Sequence, residues 1–117
     1  MNDTLKVLET RRSCRNFDPA KPVSDEAVQA IVKAGTYAPT GRGIQSPIII
    51  AVSNKKLRDE ISAENARIMG VDCDPFYGAP VILIVLADKD IPTYIYDGTL
   101  VMGNLLNAAE SLGINSI

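Results

Sequence analysis

The sequence predicts an α+β domain in which helices are layered against a central sheet. Two unbroken apolar runs support this fold, "PIIIAVS" at residues 47–53 and "PVILIVLAD" at residues 80–88, and helical segments precede, separate and follow them. Because neither run alternates apolar and polar positions, we expect strands that are covered on both faces. The 117 residues suit one domain, so we expect residues 1–117 to form a single unit.

The first helix is predicted to open at Asn2 or Asp3 and to run to about Arg11. Its apolar contacts are expected at Leu5, Val7 and Leu8. The later stretch "FDPAKPVS" is predicted to be extended, because each proline disfavours the helical conformation in the residue before it.

Three further helices carry capping or stop signals. Ser24 and Asn54 are predicted N-caps, and Gly70 ends the helix that begins after Asn54. The last helix is predicted from about Tyr96 to Leu112, with Gly113 as a left-handed stop. The closing "GINSI" has the pattern of an opening strand, so we expect the fold to be incomplete at its C-terminus.

The overall charge argues against large polyanionic partners. The formal net charge is -2, so no basic field exists to attract nucleic acid or an anionic membrane. No apolar run approaches the roughly 20 residues that span a bilayer, and the start of the chain has no signal-peptide core. We therefore expect neither nucleic acid nor membrane as a partner.

Cysteine and histidine usage narrows the chemistry further. Cys14 and Cys73 are too few for a disulfide framework, which favours a reduced, cytoplasmic setting. Asp72 and Asp74 flank Cys73, but a metal site needs more ligands, so we interpret this segment as a surface turn. The chain has no histidine, which excludes Ser-His-Asp, Cys-His and imidazole acid–base catalysis. If the protein is an enzyme, we expect a cofactor to carry the reaction.

A basic segment follows the first helix, with Arg11, Arg12 and Arg15 in five positions. In an extended chain alternate side chains share a face, which would place Arg11, Ser13 and Arg15 together. Two guanidinium groups beside a hydroxyl make a compact anion site, since arginine grips phosphate with two parallel hydrogen bonds. A solvated basic turn is the alternative interpretation of the same spacing.

Two further positions are candidates for ligand contact. The loop "PTGRGIQSP" places Arg42 between two glycines, which would let a ligand approach exposed backbone N–H groups, although a flexible surface loop explains it equally. Asn65 falls on the predicted apolar face of the third helix, with Leu57, Ile61 and Ile68. A carboxamide there needs hydrogen-bond partners, which a flavin pyrimidine edge or a nearby backbone group would supply.

Taken in order, these elements resemble the nitroreductase family of FMN-dependent oxidoreductases. The matching pieces are Arg-x-Ser-x-Arg-x-Phe at 11–17, Ala-Pro-Thr at 38–40 with Gln45 and Pro47, "YGAPVILIV" at 77–85, and "GNLLNAAESLGINS" at 103–116. The resemblance implies a nitroreductase-like sandwich whose central sheet is flanked by helices. It also implies an incomplete C-terminus, because family members carry further elements after the last helix seen here.

The resemblance implies that the basic segment is an FMN anchor. By position, Arg11 and Ser13, together with Arg12, would hold the phosphate or ribityl end of the cofactor. Arg15 occupies the basic position that in the family reaches the flavin pyrimidine edge.

Four positions farther along the chain also match cofactor contacts of the family. Thr40, Gly41 and Gln45 fall in the loop that lines the isoalloxazine, often that of the partner subunit. Asn65 resembles the helix asparagine that contacts the pyrimidine edge. No catalytic side chain and no metal is implied.

The implied activity is hydride transfer from NAD(P)H through FMN to a nitro, quinone or similar small-molecule acceptor, in a homodimer. Because part of the family fold is absent from the sequence, a non-catalytic, truncated flavin-binding or dimerisation fragment is the alternative. A third interpretation is a domain that binds some other phosphate-bearing ligand.

Overall fold

The structure, a computed structural model, describes residues 2–117 and consists of helices packed on one side of a small sheet. Its elements are α1 (Asp3–Thr10), α2 (Asp25–Thr36), a short 3₁₀ turn (Gly41–Gly43), β1 (Ile48–Val52), α3 (Lys55–Met69), β2 (Ile82–Leu86) and α4 (Tyr94–Ser111). This order confirms the predicted α+β layering. The two strands pair in antiparallel fashion, with Ile48 opposite Leu86 and Val52 opposite Ile82.

The capping residues named from the sequence begin the first three helices as predicted. In each case the side-chain oxygen accepts the N–H three residues on: Asn2 from Leu5 at 2.9 Å, Ser24 from Ala27 at 3.1 Å and Asn54 from Leu57 at 2.9 Å. Gly70 ends α3 in the left-handed conformation, with φ of 71°. α4 begins two residues earlier than predicted, after Thr93.

The core lies between α2, α4 and one face of the sheet. Its buried members are Ile31, Ala38, Val101, Leu105 and Ala109, against which Ile49, Leu83 and Val85 pack. A side-chain amide joins the two helices, because Asn104 Nδ2 donates to the carbonyl of Ala34 at 2.9 Å. α4 is therefore the central helix of the domain.

One expectation about the strands is wrong for β1. Ile48 and Ile50 are 55% and 41% exposed, and only Ile49 on the opposite face packs against the core. The reason is that the α2 and α4 layer covers the face of the sheet that carries Ile49, whereas on the opposite face of β1 only Val52, which is 4% exposed, is buried. Ile48 and Ile50 therefore leave part of this apolar face exposed in the chain.

The expected apolar contacts of α1 are also largely wrong. Leu5 and Leu8 are 48% and 55% exposed, and Val7 alone of the three is half-buried. α1 meets α4 mainly near its C-terminal end, where the Thr10 hydroxyl lies 3.5 Å from a carboxylate oxygen of Glu110.

α3 turns a different face inward from the one that its apolar periodicity predicts. Leu57 and Ile68 are 47% and 70% exposed, whereas the buried positions are Arg58, Ser62 and Ala66. Hydrogen bonding explains the difference: an acidic turn near α3 binds the polar side chains, so that face can be buried without an unsatisfied group.

The end of the described chain returns to the basic segment. Ser13 and Ser116 form a parallel β-bridge, and the N–H of Cys14 donates to the carbonyl of Ser116 at 3.0 Å. The predicted extended conformation of the closing segment is thus confirmed at this bridge. Within residues 2–117, no helix combines the length and the apolar character that crossing a membrane requires.

Candidate functional site

The basic segment leaves α1 at Arg11, whose own N–H closes the helix on the carbonyl of Val7 at 3.0 Å. Beyond it, burial repeats every third residue, with Arg11, Cys14 and Phe17 half-buried and the residues between them exposed. The predicted two-residue alternation is therefore wrong over this stretch. Arg11 reaches inward, while Ser13 and Arg15 remain at the surface.

The three arginines differ in what their guanidinium groups do. Nη1 of Arg11 is buried and has no hydrogen-bond partner among residues 2–117. Nη1 of Arg12 donates to the carbonyls of Glu9 and Arg11 at 2.9 and 2.8 Å, so this side chain caps the end of α1. The side chains of Ser13 and Arg15 are exposed and make no hydrogen bond to another described residue. Arg11 is thus the basic group with an unmet, buried donor.

The loop from Thr40 to Gln45 is ordered by its own hydrogen bonds. The N–H of Gly43 donates to the carbonyl of Thr40 at 3.0 Å, and the N–H of Gln45 donates to the Thr40 hydroxyl at 2.9 Å. Arg42 and Gln45 have φ of 57° and 58°, left-handed values that are unfavourable for residues with a side chain. Such strain marks the loop as one whose shape is enforced by its surroundings.

Asp97 in α4 is a site residue that the sequence reasoning missed. Its side chain is 2% exposed, and its Oδ1 accepts the N–H of Gly41 at 2.9 Å while its Oδ2 accepts the Thr93 hydroxyl at 2.8 Å. The available signal was an acidic residue in the first turn of a helix, which by itself indicates no more than a favourable helix-dipole interaction.

The structure brings the predicted site residues together in two groups, not one. The basic segment lies at the C-terminal end of α4, near Glu110 and Ser116, whereas the Gly41 loop is bonded to Asp97 near its N-terminal end. At about 1.5 Å per residue, the helix from Asp97 to Glu110 is about 20 Å long. Each chain therefore carries the two groups at opposite ends of its central helix.

Asn65 belongs to neither group by any direct bond. It is half-buried on α3, and its side chain makes no hydrogen bond to another residue of the described range. It lies one turn from Ser62, whose hydroxyl donates to Oδ1 of Asp74 at 2.8 Å. Its carboxamide therefore remains available for a ligand.

Asp74 organises the turn that the sequence analysis interpreted as a surface feature. Its Oδ1 accepts the Ser62 hydroxyl and the N–H of Phe76 at 3.0 Å, and its Oδ2 accepts the N–H of Gly78 at 2.8 Å and an N–H of Arg58. Burial raises the pKa of this carboxyl, but the hydrogen bonds outweigh burial and lower it to about 2. Among residues 2–117 no group of acidic and cysteine side chains is arranged to hold a metal ion.

Arg58 completes this cluster from α3. Its Nε donates to the carbonyl of Ala79 at 2.8 Å, and its guanidinium carbon lies 5.7 Å from the centre of the Phe76 ring. The cluster joins α3 to the segment that leads into β2. Its role in the described chain is structural.

A cleft of about 770 Å³ adjoins the basic segment, because Asn16, Phe17 and Ser116 are among its lining residues. Its lining is mainly apolar and includes Phe17, Val28, Phe76, Leu105 and Ile117. None of the eight residues predicted to bind cofactor lines it. Concavity alone therefore does not identify the predicted site.

Comparison with known proteins defines the class. The sequence profile of the nitroreductase family matches residues 8–71, more than half of the chain. The fold is similar to that of two crystallised nitroreductases with bound FMN, from Bacteroides fragilis (TM-score 0.89, 27% identity) and Desulfitobacterium hafniense (TM-score 0.84, 36% identity). Each comparison covers 98% of this chain and 68% of the other. The chain belongs to the nitroreductase family.

A similar curated relative is the NADPH-flavin oxidoreductase of Vibrio harveyi, which is 30% identical over 128 residues. The match covers 100% of this chain and 53% of that protein. The matched part of this chain spans 29% of the length of one curated relative and 67% of the length of another. The family and the fold are thus established for a chain that is shorter than its relatives.

Proposed function

We propose that this chain binds FMN and acts as an NAD(P)H-dependent oxidoreductase. The observation that carries the proposal is the buried Nη1 of Arg11, which has no partner among the described residues. A buried cationic donor without a partner is costly, by about 1–3 kcal/mol or more, and an anionic ligand would remove that cost. FMN supplies such an anion in its phosphate, and the crystallised relatives from Bacteroides fragilis and Desulfitobacterium hafniense have it bound.

Two sets of side chains would hold the cofactor. Arg11, with Ser13 and the neighbouring Arg12, would bind the phosphate or ribityl end, and Arg15 would lie near the pyrimidine edge. Charge-assisted hydrogen bonds of this kind contribute about 1.5–3 kcal/mol each, so three or four would supply most of the about 8 kcal/mol of micromolar binding.

The second set is the loop pair Thr40 and Gln45, supported by Gly41, together with Asn65 on α3. The Thr40 hydroxyl accepts the Gln45 N–H, which leaves its own proton free to donate. The Asn65 carboxamide offers both a donor and an acceptor, as the edge of a flavin pyrimidine requires. These four residues would orient the ring system.

Bound FMN would supply the hydride chemistry between NAD(P)H and a nitro, quinone or similar acceptor. The chain's own contribution would be binding, orientation and the cationic field of Arg15. We assign no side chain as a general acid, because the sequence has no histidine and none of the eight predicted contacts is a carboxylic acid. Asp97, beside the loop, already accepts hydrogen bonds from Gly41 and Thr93.

We further propose a homodimer in which the basic segment and the loop of residues 40–45 that contact one FMN come from different copies. The separation of about 20 Å along α4 supports this arrangement, because a two-fold axis would bring the basic segment of one copy near the loop of the other. α4 also exposes Ile95, Tyr96 and Leu100 by 61%, 70% and 46%, an apolar surface suited to burial against a second copy.

The test of the dimer is sedimentation of the wild-type chain beside Leu100→Glu. The wild type should sediment as a dimer and the variant as a monomer, because a carboxylate in an apolar interface would be unpaired. Lys89→Glu, at an exposed position before α4, is the matched control and should remain dimeric. A monomeric wild type, or a dimer that Leu100→Glu leaves intact, would contradict this interface.

The test of the cofactor is titration of the purified chain with FMN, followed by flavin absorbance and by NAD(P)H oxidation. Saturable binding with flavin-dependent turnover supports the oxidoreductase.

The second candidate is a non-catalytic flavin-binding or dimerisation fragment, favoured by the two half-sites that a single chain carries. It predicts FMN binding or dimer formation without turnover.

A domain for another phosphate-bearing ligand predicts a different pattern. Inorganic phosphate would bind and would not be displaced by FMN at comparable concentration.

For location we propose the cytoplasm, supported by the free thiols of Cys14 and Cys73.

A further inference from the structure

The buried carboxylate of Asp97 has no cationic partner. It forms no ion pair with any residue in the range 2–117, although it is the most deeply buried acidic side chain described there. Burying an acidic group away from counter-charges costs free energy unless hydrogen bonds compensate. Here the compensation comes from two donors, the Gly41 N–H and the Thr93 hydroxyl, and from the first turn of α4.

The packing of Thr93 against Gly41 leaves no room for a side chain at position 41. A Cβ at Gly41 would overlap the Thr93 hydroxyl, the same hydroxyl that Asp97 accepts. Gly41, Thr93 and Asp97 therefore form a single packed unit, which we call the loop anchor. Only glycine at position 41 fits it without displacing Thr93.

The loop anchor determines which groups the loop can offer to a ligand. The N–H groups of Gly41, Gly43, Ile44 and Gln45 are all donated within the chain. The expectation that the two glycines expose backbone N–H groups is therefore wrong for Gly41 and Gly43, and the N–H groups of Ile44 and Gln45 are donated within the chain as well. Ligand contact from this loop must come mainly from side chains, of which Thr40 and Gln45 are the predicted cofactor contacts.

We infer that Asp97 is a positioning residue: by holding Gly41 against α4, it fixes the loop so that Thr40 and Gln45 contact the flavin. Only the contact of Thr40 and Gln45 with the flavin rests on the proposed function. That Asp97 fixes the loop is a property of the chain itself, and hydrogen exchange measures it without cofactor.

The experiment compares three substitutions with the wild type. Asp97→Ala removes both acceptors, whereas Asp97→Asn keeps an oxygen for Gly41 and gives Thr93 an amide N–H to accept. Thr93→Val removes one donor at nearly constant shape. Asp90→Ala, at an exposed acidic residue before α4 whose side chain makes no described hydrogen bond, is the control.

Two readouts are taken on each folded protein: amide hydrogen exchange of residues 40–45 without cofactor, and the Kd for FMN. We expect Asp97→Ala to speed exchange at Gly41 at least tenfold and to raise the Kd about tenfold. Asp97→Asn should stay within about threefold of wild type in both, and Asp90→Ala should change neither. Rescue by the asparagine distinguishes positioning through hydrogen bonds from a general loss of stability.

The outcomes separate the two levels of the argument. Unchanged exchange at Gly41 in Asp97→Ala overturns the loop anchor, as does an asparagine variant as damaged as the alanine. Faster exchange with an unchanged Kd overturns the link between the loop and the flavin. A wild type that binds no FMN refutes the proposed function and the flavin link together, while the exchange data still decide the anchor. If Asp97→Ala fails to fold, Thr93→Val must speed Gly41 exchange for the anchor to stand.

Discussion

Replacing Asp74 by asparagine tests the cluster that joins α3 to the segment before β2. The substitution keeps the shape and keeps Oδ1 for Ser62 and Phe76, but places an NH₂ group where Oδ2 now accepts from Gly78 and Arg58. Rotating the amide instead leaves a mismatch with the Phe76 N–H, although the Ser62 hydroxyl could then accept from the amide. The Arg58 side chain is 9% exposed, so its charge cannot turn to water instead.

The expected loss of stability follows from the pKa of Asp74. Lowering the pKa of Asp74 from 3.8 to about 2 corresponds to about 2 kcal/mol in favour of the charged form. Because the Asp74 side chain is 32% exposed, solvent screening reduces this to about 1–2 kcal/mol. The donor–donor mismatch adds to that loss, so we expect Asp74→Asn to unfold with about 2–3 kcal/mol less free energy at pH 7.

The pH dependence gives the sharper measurement. A carboxyl with a lowered pKa stabilises the fold above its unfolded value and loses that contribution as the pH falls through the folded value. The gap between wild type and Asp74→Asn should therefore narrow between pH 4 and about pH 2. Urea unfolding measures both the loss of free energy at pH 7 and its change with pH. The protein concentration is held fixed, since dimer formation would make stability concentration-dependent.

Asp72→Asn is the matched control, two positions away and exposed. Its free energy of unfolding should lie within about 0.5 kcal/mol of the wild-type value at every pH. A gap for Asp74→Asn that stays constant down to pH 2 would refute the reasoning, because the charge would then contribute nothing to it.

Three other outcomes follow from the same contacts. Gly35→Ala should lower the free energy of unfolding by about 1–3 kcal/mol in urea, because its Cβ would lie 2.6 Å from Leu105. Gly103→Ala, whose Cβ would meet open space, is the control and should not destabilise the chain. Arg11→Ala and Arg15→Ala should each raise the Kd for FMN about tenfold, which corresponds to about 1.4 kcal/mol. An unchanged Kd in FMN titrations would contradict the proposed contacts of these arginines with the cofactor. Mixing Arg11→Ala chains with Gln45→Ala chains should restore about a quarter of the sites if each site uses two copies, because half the dimers are mixed and hold one intact site. No recovery is expected if both residues act within one chain.

Local signals in the sequence predicted the elements well. The N-caps Asn2, Ser24 and Asn54 each bond the N–H three residues on, as a capping residue should. Gly70 stops its helix in the left-handed conformation. These features depend on only a few neighbouring residues, which is why a single sequence is sufficient to identify them.

Burial was harder to predict because it depends on partners distant in the chain. The apolar spacing of Leu57 and Ile68 pointed to the wrong face of α3, since Asp74 satisfies Arg58 and Ser62 from 12 to 16 positions away. Periodicity counts apolar residues and cannot register that a distant carboxylate makes a polar face buriable. The same limit hid Asp97, whose partner Gly41 is 56 positions earlier.

The division of the candidate site follows from one long element. A helix of 18 residues is about 27 Å long, and both of its ends are fixed by contacts with other parts of the chain. Asp97 holds the Gly41 loop at one end, and the bridge between Ser13 and Ser116 holds the basic segment beyond the other. A rigid helix cannot shorten, so the two groups of one chain keep their separation of about 20 Å along α4. This fixed separation supports the proposal that the loop of a second copy completes the site begun by the basic segment.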